Sequence, residues 1–312
     1  MSGRVVAVCT SRRKGVAKRA QESVLLEVGL GITDDAHRGF KHRQVSILTQ
    51  ADIDHMKAKG AKLEQGDFGE NIICEGVGLK DLGMGSELRV GPARLRLSQI
   101  GKACHDHCAI YYSVGECIMP RVGCFFTVEE GGEVRPGDPV ELLRRVDPAA
   151  IPAAVLTASD RCSRGEAEDS SGPALAELLE AHGFNVVERT CLPDEPDALE
   201  AQLREWADPQ RGISLVLTTG GTGFGPRDCT PEATRKVIER DAPGLSEAMR
   251  AAGLAKTPRA MLSRGVSGVC GRTLILNLPG SRKGAIESLE AVLGVLPHAV
   301  DMLRGEVRDC GR

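Results

Sequence analysis

The chain has 312 residues, of which 41% are hydrophobic and only 3% aromatic, so it can form two ordinary cores built from Val, Leu, Ile and Ala. Its net charge is −3 with no basic tract, which gives a nucleic-acid partner little electrostatic support, and no apolar stretch reaches the length of a membrane span. The segment 1–8 reads into a strand and lacks the layout of a signal peptide, so a cytoplasmic protein is expected. The eleven cysteines are then expected as core fillers, metal ligands or reactive thiols and not as disulfides.

In chain order, the first half is a series of short β-rich runs at 5–8, 45–48, 71–74, 87–90, 94–100 and 125–128, punctuated by glycines. Residues 94–98 alternate polar and apolar, as a half-buried strand does, and 51–59 is the clearest helix candidate. This predicts a mainly β, barrel-like domain over 1–146. A charged and Pro/Ala-rich connector follows at 144–152.

The second half alternates strands with helices. Strands are expected at 153–157, 185–190, 213–218 and 273–278, and helices at 172–182, 197–207, 231–240, 245–253 and 283–302. Alternation of this kind predicts a three-layer α/β domain over 151–312 with a mostly parallel sheet, whose ligands gather at the C-terminal strand ends.

Those strand ends carry the chemistry. The first ends in Ser159-Asp160, the second in Pro193-Asp194-Glu195, and the fourth in Pro279-Gly280-Ser281. The third runs into Thr219-Gly220-Gly221-Thr222-Gly223 and then Asp228. Glycine N–H groups can approach phosphate oxygens closely. Carboxylates drawn together on one edge repel unless a cation lies between them, and Mg²⁺ suits carboxylate and phosphate oxygens. A helix starting after Gly280 presents N–H groups to a further anion. Each feature also has a structural reading: a glycine loop as a tight turn, and Asp194 as the cap of the helix expected from Asp197.

Beyond these features, the second half resembles the molybdopterin adenylyltransferases of the MogA/MoaB type. The matching segments are Ser159-Asp160, Asp169-Ser170-Ser171-Gly172-Pro173, Leu192-Pro193-Asp194-Glu195, Thr218-Thr219-Gly220-Gly221-Thr222-Gly223, Pro226-Arg227-Asp228-Cys229-Thr230-Pro231, Ala260-Met261-Leu262-Ser263-Arg264 and Asn277-Leu278-Pro279-Gly280. The resemblance implies a homotrimer and a reaction in which ATP and molybdopterin give adenylylated molybdopterin and pyrophosphate. It also implies Asp194 and Asp228 as catalytic and Mg²⁺-organising residues. Asp160, Ser171, Thr219, Gly220, Gly221, Thr222, Gly223, Pro279, Gly280 and Ser281 are expected to bind nucleotide or pterin.

In the first half, Cys104-His105-Asp106-His107-Cys108 follows an expected strand. Three readings stand: a zinc site, disfavoured because no clean pair of ligand pairs is present; a thiol activated by neighbouring cations; and inert packing, expected for Cys9, Cys74 and Cys124. This half resembles the MOSC domains through Asp34-Asp35-Ala36-His37, Arg43-Gln44-Val45-Ser46, Gly66-Asp67-Phe68-Gly69-Glu70-Asn71, Leu88-Arg89-Val90-Gly91 and the Cys104 segment. That resemblance implies binding of molybdenum cofactor or carriage of sulfur, with Cys104, His105 and Cys108 as the candidate site. The joint expectation is a part in molybdenum cofactor biosynthesis with small-molecule substrates. The rival is a non-catalytic molybdopterin carrier or trimerising scaffold with a zinc- or thiol-stabilised first module.

Overall fold

The computed structural model describes residues 2–102 and 109–305. The chain divides into two compact units, 1–149 and 150–312. Among the described residues, no helix is long and apolar enough to cross a membrane.

In the first unit seven strands close into a barrel. In spatial order they are Pro139–Arg144, Glu87–Val90, Ala93–Ile100, Cys124–Glu130, Val45–Thr49, Ile72–Glu75 and Ser2–Thr10, which pairs back to Pro139–Arg144. An odd ring cannot alternate direction throughout. Here the parallel pair is Val45–Thr49 with Ile72–Glu75, joined by a crossover carrying the helix Gln50–Ala58, as parallel pairing requires. A register shift between Val5 and Ala7 changes the side-chain parity, so Val5 and Val8 both enter the barrel core while Ala7 and Cys9 pack under the helix with Ile53 and Ile73. Cys74 and Cys124 belong to the barrel core.

The second unit has a six-stranded sheet in the order Phe184–Leu192, Ile151–Ala158, Leu215–Thr219, Thr273–Leu278, Ser267–Cys270, Arg240–Asp241. The first four are parallel and the last two antiparallel. Leu215–Thr219 and Thr273–Leu278 are buried at every position, the unbroken pattern of strands covered on both faces. Helices Ser171–Glu180, Pro243–Leu254 and Arg282–Leu293 pack together, and Pro196–Ala207 packs with Thr230–Arg235.

Chain order decides where the site lies. After Ile151–Ala158 the chain crosses to one neighbour, Phe184–Leu192, and then returns past it to the other, Leu215–Thr219. The direction of winding reverses there, and the loops leaving the two central strands diverge and open a crevice.

The helix expected at 231–240 is shorter than its sequence suggests. It ends at Arg235, because the Glu239 N–H donates to the Val269 carbonyl and Arg240 pairs with Val269 as an edge strand. Pairing with the sheet outcompetes local helix preference. The stretch 283–302, expected as one or two helices, is two, Arg282–Leu293 and Leu296–Arg304, with Pro297 in the first turn of the second.

Candidate functional site

The crevice is built from strand ends held in register. Ala158 pairs with Leu192, so the residues that follow, Asp160 and Asp194, leave the sheet side by side. Their main chains and carboxylates interlock. The Asp160 N–H donates to Asp194 Oδ2 at 3.0 Å, and the Asp194 N–H donates to Asp160 Oδ1 at 3.1 Å. The next helix begins at Pro196, with Glu195 at its cap making no side-chain bond. Asp194 therefore does not cap that helix; its carboxylate is turned to the neighbouring strand end.

The glycine loop is tied down on every side. The Thr230 hydroxyl donates to the Gly220 carbonyl at 2.9 Å, and the Thr219 hydroxyl donates to the Pro279 carbonyl at 2.7 Å. From the neighbouring helix, the Ser171 hydroxyl donates to the Gly280 carbonyl at 2.9 Å. Beneath the loop, the Asn277 side-chain amide donates to the buried hydroxyls of Thr218 and Thr234, each at 2.9 Å. Thr219 and Ser171, expected to touch ligand, thus spend their protons on loop carbonyls. Ser281 caps Arg282–Leu293 by accepting the Gly284 N–H at 3.2 Å. Thr222 is buried.

Glycine is required at two of these positions. Gly220 has φ +97° and a Cβ there would lie 2.2 Å from the Ala158 carbonyl oxygen. Gly221 has φ +61°, and its Cβ would lie 2.4 Å from the Thr230 hydroxyl and 3.0 Å from Asp194 Oδ1. The last distance puts the Asp194 carboxylate against the loop. Asp228 approaches from the other end, its Oδ2 accepting the Gly225 N–H at 2.7 Å.

Two cavities meet at this loop. One of about 450 Å³ is lined by Thr222, Gly223, Ser281, Pro279, Met249 and Arg259, among others. The other, of about 310 Å³, is lined by Thr157, Ser159, Ser171, Asp194, Thr219 and Gly220, among others. Gly221, Asp228 and Gly280 line both. Asp160 lines neither. Arg227 grips its two oxygens, each at 3.0 Å, and also reaches Glu195 at 2.7 Å.

The electrostatics separate the aspartates. Burial pushes the Asp194 carboxyl up from its ordinary range, and the charges of Asp160 and Asp228 push the same way, against the Asp160 N–H and Arg227. The Arg227 hydrogen bonds hold Asp160 below the ordinary range. Asp194 thus carries negative charge that its surroundings only partly compensate. Among the described residues, no group of three or more His, Cys, Asp or Glu is placed to hold a metal alone. Two carboxylates beside a glycine loop fit Mg²⁺ nonetheless, because that ion takes one or two carboxylates and completes its shell with phosphate oxygens and water.

Sequence reasoning missed several residues that shape the site. Asp169 accepts the Ser171 and Gly172 N–H groups at 3.1 and 2.9 Å and the Thr157 hydroxyl at 2.8 Å. The Asp-Ser-Ser-Gly-Pro run before an apolar stretch was the available signal for it. Arg227 and Arg264 stand inside two of the matching segments, 226–231 and 260–264, which was the available signal, but their partners could not be read there.

In the first unit, Cys104, His105 and Cys108 lie outside the described residues. Cys9, Cys74 and Cys124 are buried, and burial pushes each thiol up to about 12, which makes them inert. The conspicuous polar feature there is Asp35. It takes the Lys18 ammonium at 2.8 Å, the His37 N–H at 2.9 Å and the Asn71 amide at 3.1 Å.

Comparison with known proteins places both halves. Residues 154–298 match the family described as "Probable molybdopterin binding domain", and residues 34–141 match the MOSC domain. A molybdopterin adenylyltransferase of Helicobacter pylori is 44% identical over 153 residues, covering 48% of this chain and 86% of that protein. The molybdenum cofactor synthesis protein cinnamon of Drosophila melanogaster is 43% identical over 159 residues, 51% of this chain but only 26% of that protein. A crystal structure of the molybdopterin biosynthesis enzyme MoaB from Thermus thermophilus is 55% identical, covering 50% of this chain and 97% of that one, with a TM-score of 0.48. On its second half, where it spans most of the Helicobacter protein at 44% identity, the chain belongs to the molybdopterin adenylyltransferase family.

Proposed function

We propose that the second unit transfers the adenylyl group of MgATP to molybdopterin, as one step of molybdenum cofactor biosynthesis. The observation that carries this reading is the meeting of Asp194 and Asp228, from separate strand ends, at one glycine loop between two cavities. Two cavities with a common wall suit two substrates whose reacting phosphates must touch.

The terminal phosphate oxygen of molybdopterin attacks the α-phosphorus of ATP. The bond from that phosphorus to the bridging oxygen breaks, and pyrophosphate leaves with the electron pair. A phosphate is already ionised at neutral pH, so no strong base is needed. What the protein supplies is alignment and compensation of charge. Mg²⁺, when bound, neutralises charge on the phosphates. Asp194 and Asp228 would hold it, while the N–H groups of Gly221 to Gly223 cradle phosphate, the Gly220 N–H being taken by the Leu278 carbonyl, and Ser281 presents the start of a helix to an anion. Asp160, tied to Arg227, orients Asp194. We assign the first unit the handling of molybdenum cofactor or sulfur through the Cys104 segment, and the second unit assembly into a homotrimer.

Purified protein given MgATP and molybdopterin is expected to release pyrophosphate in proportion to the pterin consumed. Binding of molybdopterin without ATP-dependent pyrophosphate release points to the carrier reading instead.

A further inference from the structure

We infer that Arg264 is a positioning residue for adenylyl transfer, a clamp across both ends of the loop that bears Asp228. The inference rests on the function proposed above, and the observations behind it are independent of that function. Residues 224–227 are exposed. Within itself the loop is closed by the Asp228 N–H donating to the Gly225 carbonyl at 3.0 Å and by the Gly225 N–H donating to Asp228 Oδ2. That closure fixes the loop's shape but not its place above the crevice.

Arg227 ties the exposed part of the loop to Asp160 and Glu195, and Arg264 fixes the loop's two ends. Its Nε donates to the Gly223 carbonyl at 2.6 Å and its Nη2 to the Asp228 carbonyl at 2.7 Å. The third nitrogen, Nη1, pairs with Glu232 on the helix that follows the loop. The Arg264 main-chain N–H also donates to the Thr222 carbonyl at 2.9 Å. One planar cation therefore joins the entry and exit of the loop and the next helix. A lysine has a single ammonium on a flexible stem and cannot reproduce that fork.

The base of the clamp is rigid. Arg250 donates to the Gly265 carbonyl at 2.9 Å. The Val266 N–H donates to the Asn277 side chain at 3.2 Å, and the Asn277 N–H donates to the Val266 carbonyl at 2.9 Å. Asn277 lies in a central strand of the sheet. The path runs from sheet to Arg264 to loop to the Asp228 carboxylate, so the sheet sets where that carboxylate stands relative to Asp194.

The test uses the full-length chain with Arg264→Ala and Arg264→Lys. Hydrogen exchange is read first. In both variants the Gly225 and Asp228 amides should exchange faster, while amides of Leu215–Thr219 keep their protection. Unchanged exchange at Gly225 and Asp228 overturns the clamp, whatever the protein catalyses. Turnover is read second. A misplaced carboxylate should lower kcat about 100-fold with little change in KM for molybdopterin, and millimolar guanidinium should restore part of the rate in Arg264→Ala. Wild-type kcat in both variants, or a loss that tracks thermal stability without rescue, overturns the positioning role. Absence of turnover in the wild type defeats the proposed reaction instead and leaves the exchange result to decide the clamp. Arg264→Lys keeps the charge beside Glu232 and so serves where Arg264→Ala fails to fold.

Discussion

Two aspartates, one in each unit, show how the same side chain is put to different uses. Asp35 is sealed in the first unit, where the side chains of the Lys18–Asp35 pair are 2% and 0% exposed. Burial alone would push its carboxyl up, but the His37 and Lys18 hydrogen bonds and the Lys18 charge outweigh that and hold it well below the ordinary range. Asp194 stands at the mouth of a cavity. It accepts a main-chain N–H, but its burial, together with two further carboxylates nearby, moves its pKa up. A carboxylate with a full set of partners is a framework element, whereas one left short of positive charge beside a cavity is ready for a cation or a phosphate that brings one.

Breaking the sealed pair should have the largest effect on stability. Lys18→Met leaves Asp35 buried without its cation, and removing one partner of such a pair costs about 3–5 kcal/mol. Chemical denaturation should show that loss in the first unit, with adenylyl transfer by the second unit retained under folding conditions. A change below about 1 kcal/mol, the value of an exposed pair, would mean that the pair is not sealed.

The pH response should have opposite sign at the two residues. Asp35 has a depressed native pKa, so its contribution to stability is present above the unfolded pKa and is lost as pH falls through the native one. Asp194 has a raised native pKa, so the native state binds the proton more tightly than the unfolded chain. Stability from that group therefore declines as pH rises from the unfolded to the native pKa. Adenylyl transfer needs the ionised form and should fall, on acidification, at a higher pH than an ordinary aspartate would give. Asp194→Asn, which lacks the charge that would hold Mg²⁺, should lower turnover at every pH while the acid unfolding governed by Asp35 persists. Wild-type turnover with the same acidic limb in that variant would assign the limb to another group.

The smallest effect is expected where the site borrows the framework's manner. Thr219 is fully buried and its hydroxyl is committed to the Pro279 carbonyl. Thr219→Val should cost about 1 kcal/mol of stability, measured by thermal unfolding, with KM for either substrate little changed. A large rise in KM without loss of stability would make that hydroxyl a ligand contact.

The same contrast explains what was legible in the sequence. The parallel strands and the glycines and aspartates at their ends could be read because each is a local pattern: an apolar run, then glycines or an aspartate. Gly220 and Gly221 were legible for the same reason, since positive φ and close approach admit few other residues. The Lys18–Asp35 pair was not, because its members are brought together by the folding of the barrel and neither has a local signature. Arg227 and Arg264 stood in quoted segments, but their tasks were hidden likewise. A guanidinium's partners are carbonyls and carboxylates up to 67 residues away, and nothing in the neighbouring sequence announces those partners. Ser171 and Thr219 line the cavity, but the direction of their hydroxyls was not legible, because it depends on which carbonyl the neighbouring strand end presents. The antiparallel edge at Ser267–Cys270 was passed over because four residues with one glycine make a weak strand signal.

The most direct test identifies the product by mass spectrometry after wild-type protein and Asp228→Ala are each incubated with molybdopterin and MgATP. Adenylylated molybdopterin with an equal amount of pyrophosphate from the wild type, and neither from a folded Asp228→Ala, is the predicted result. Equal product from both proteins, or no adenylylated pterin from the wild type, would contradict the assignment of adenylyl transfer to the carboxylates at this glycine loop.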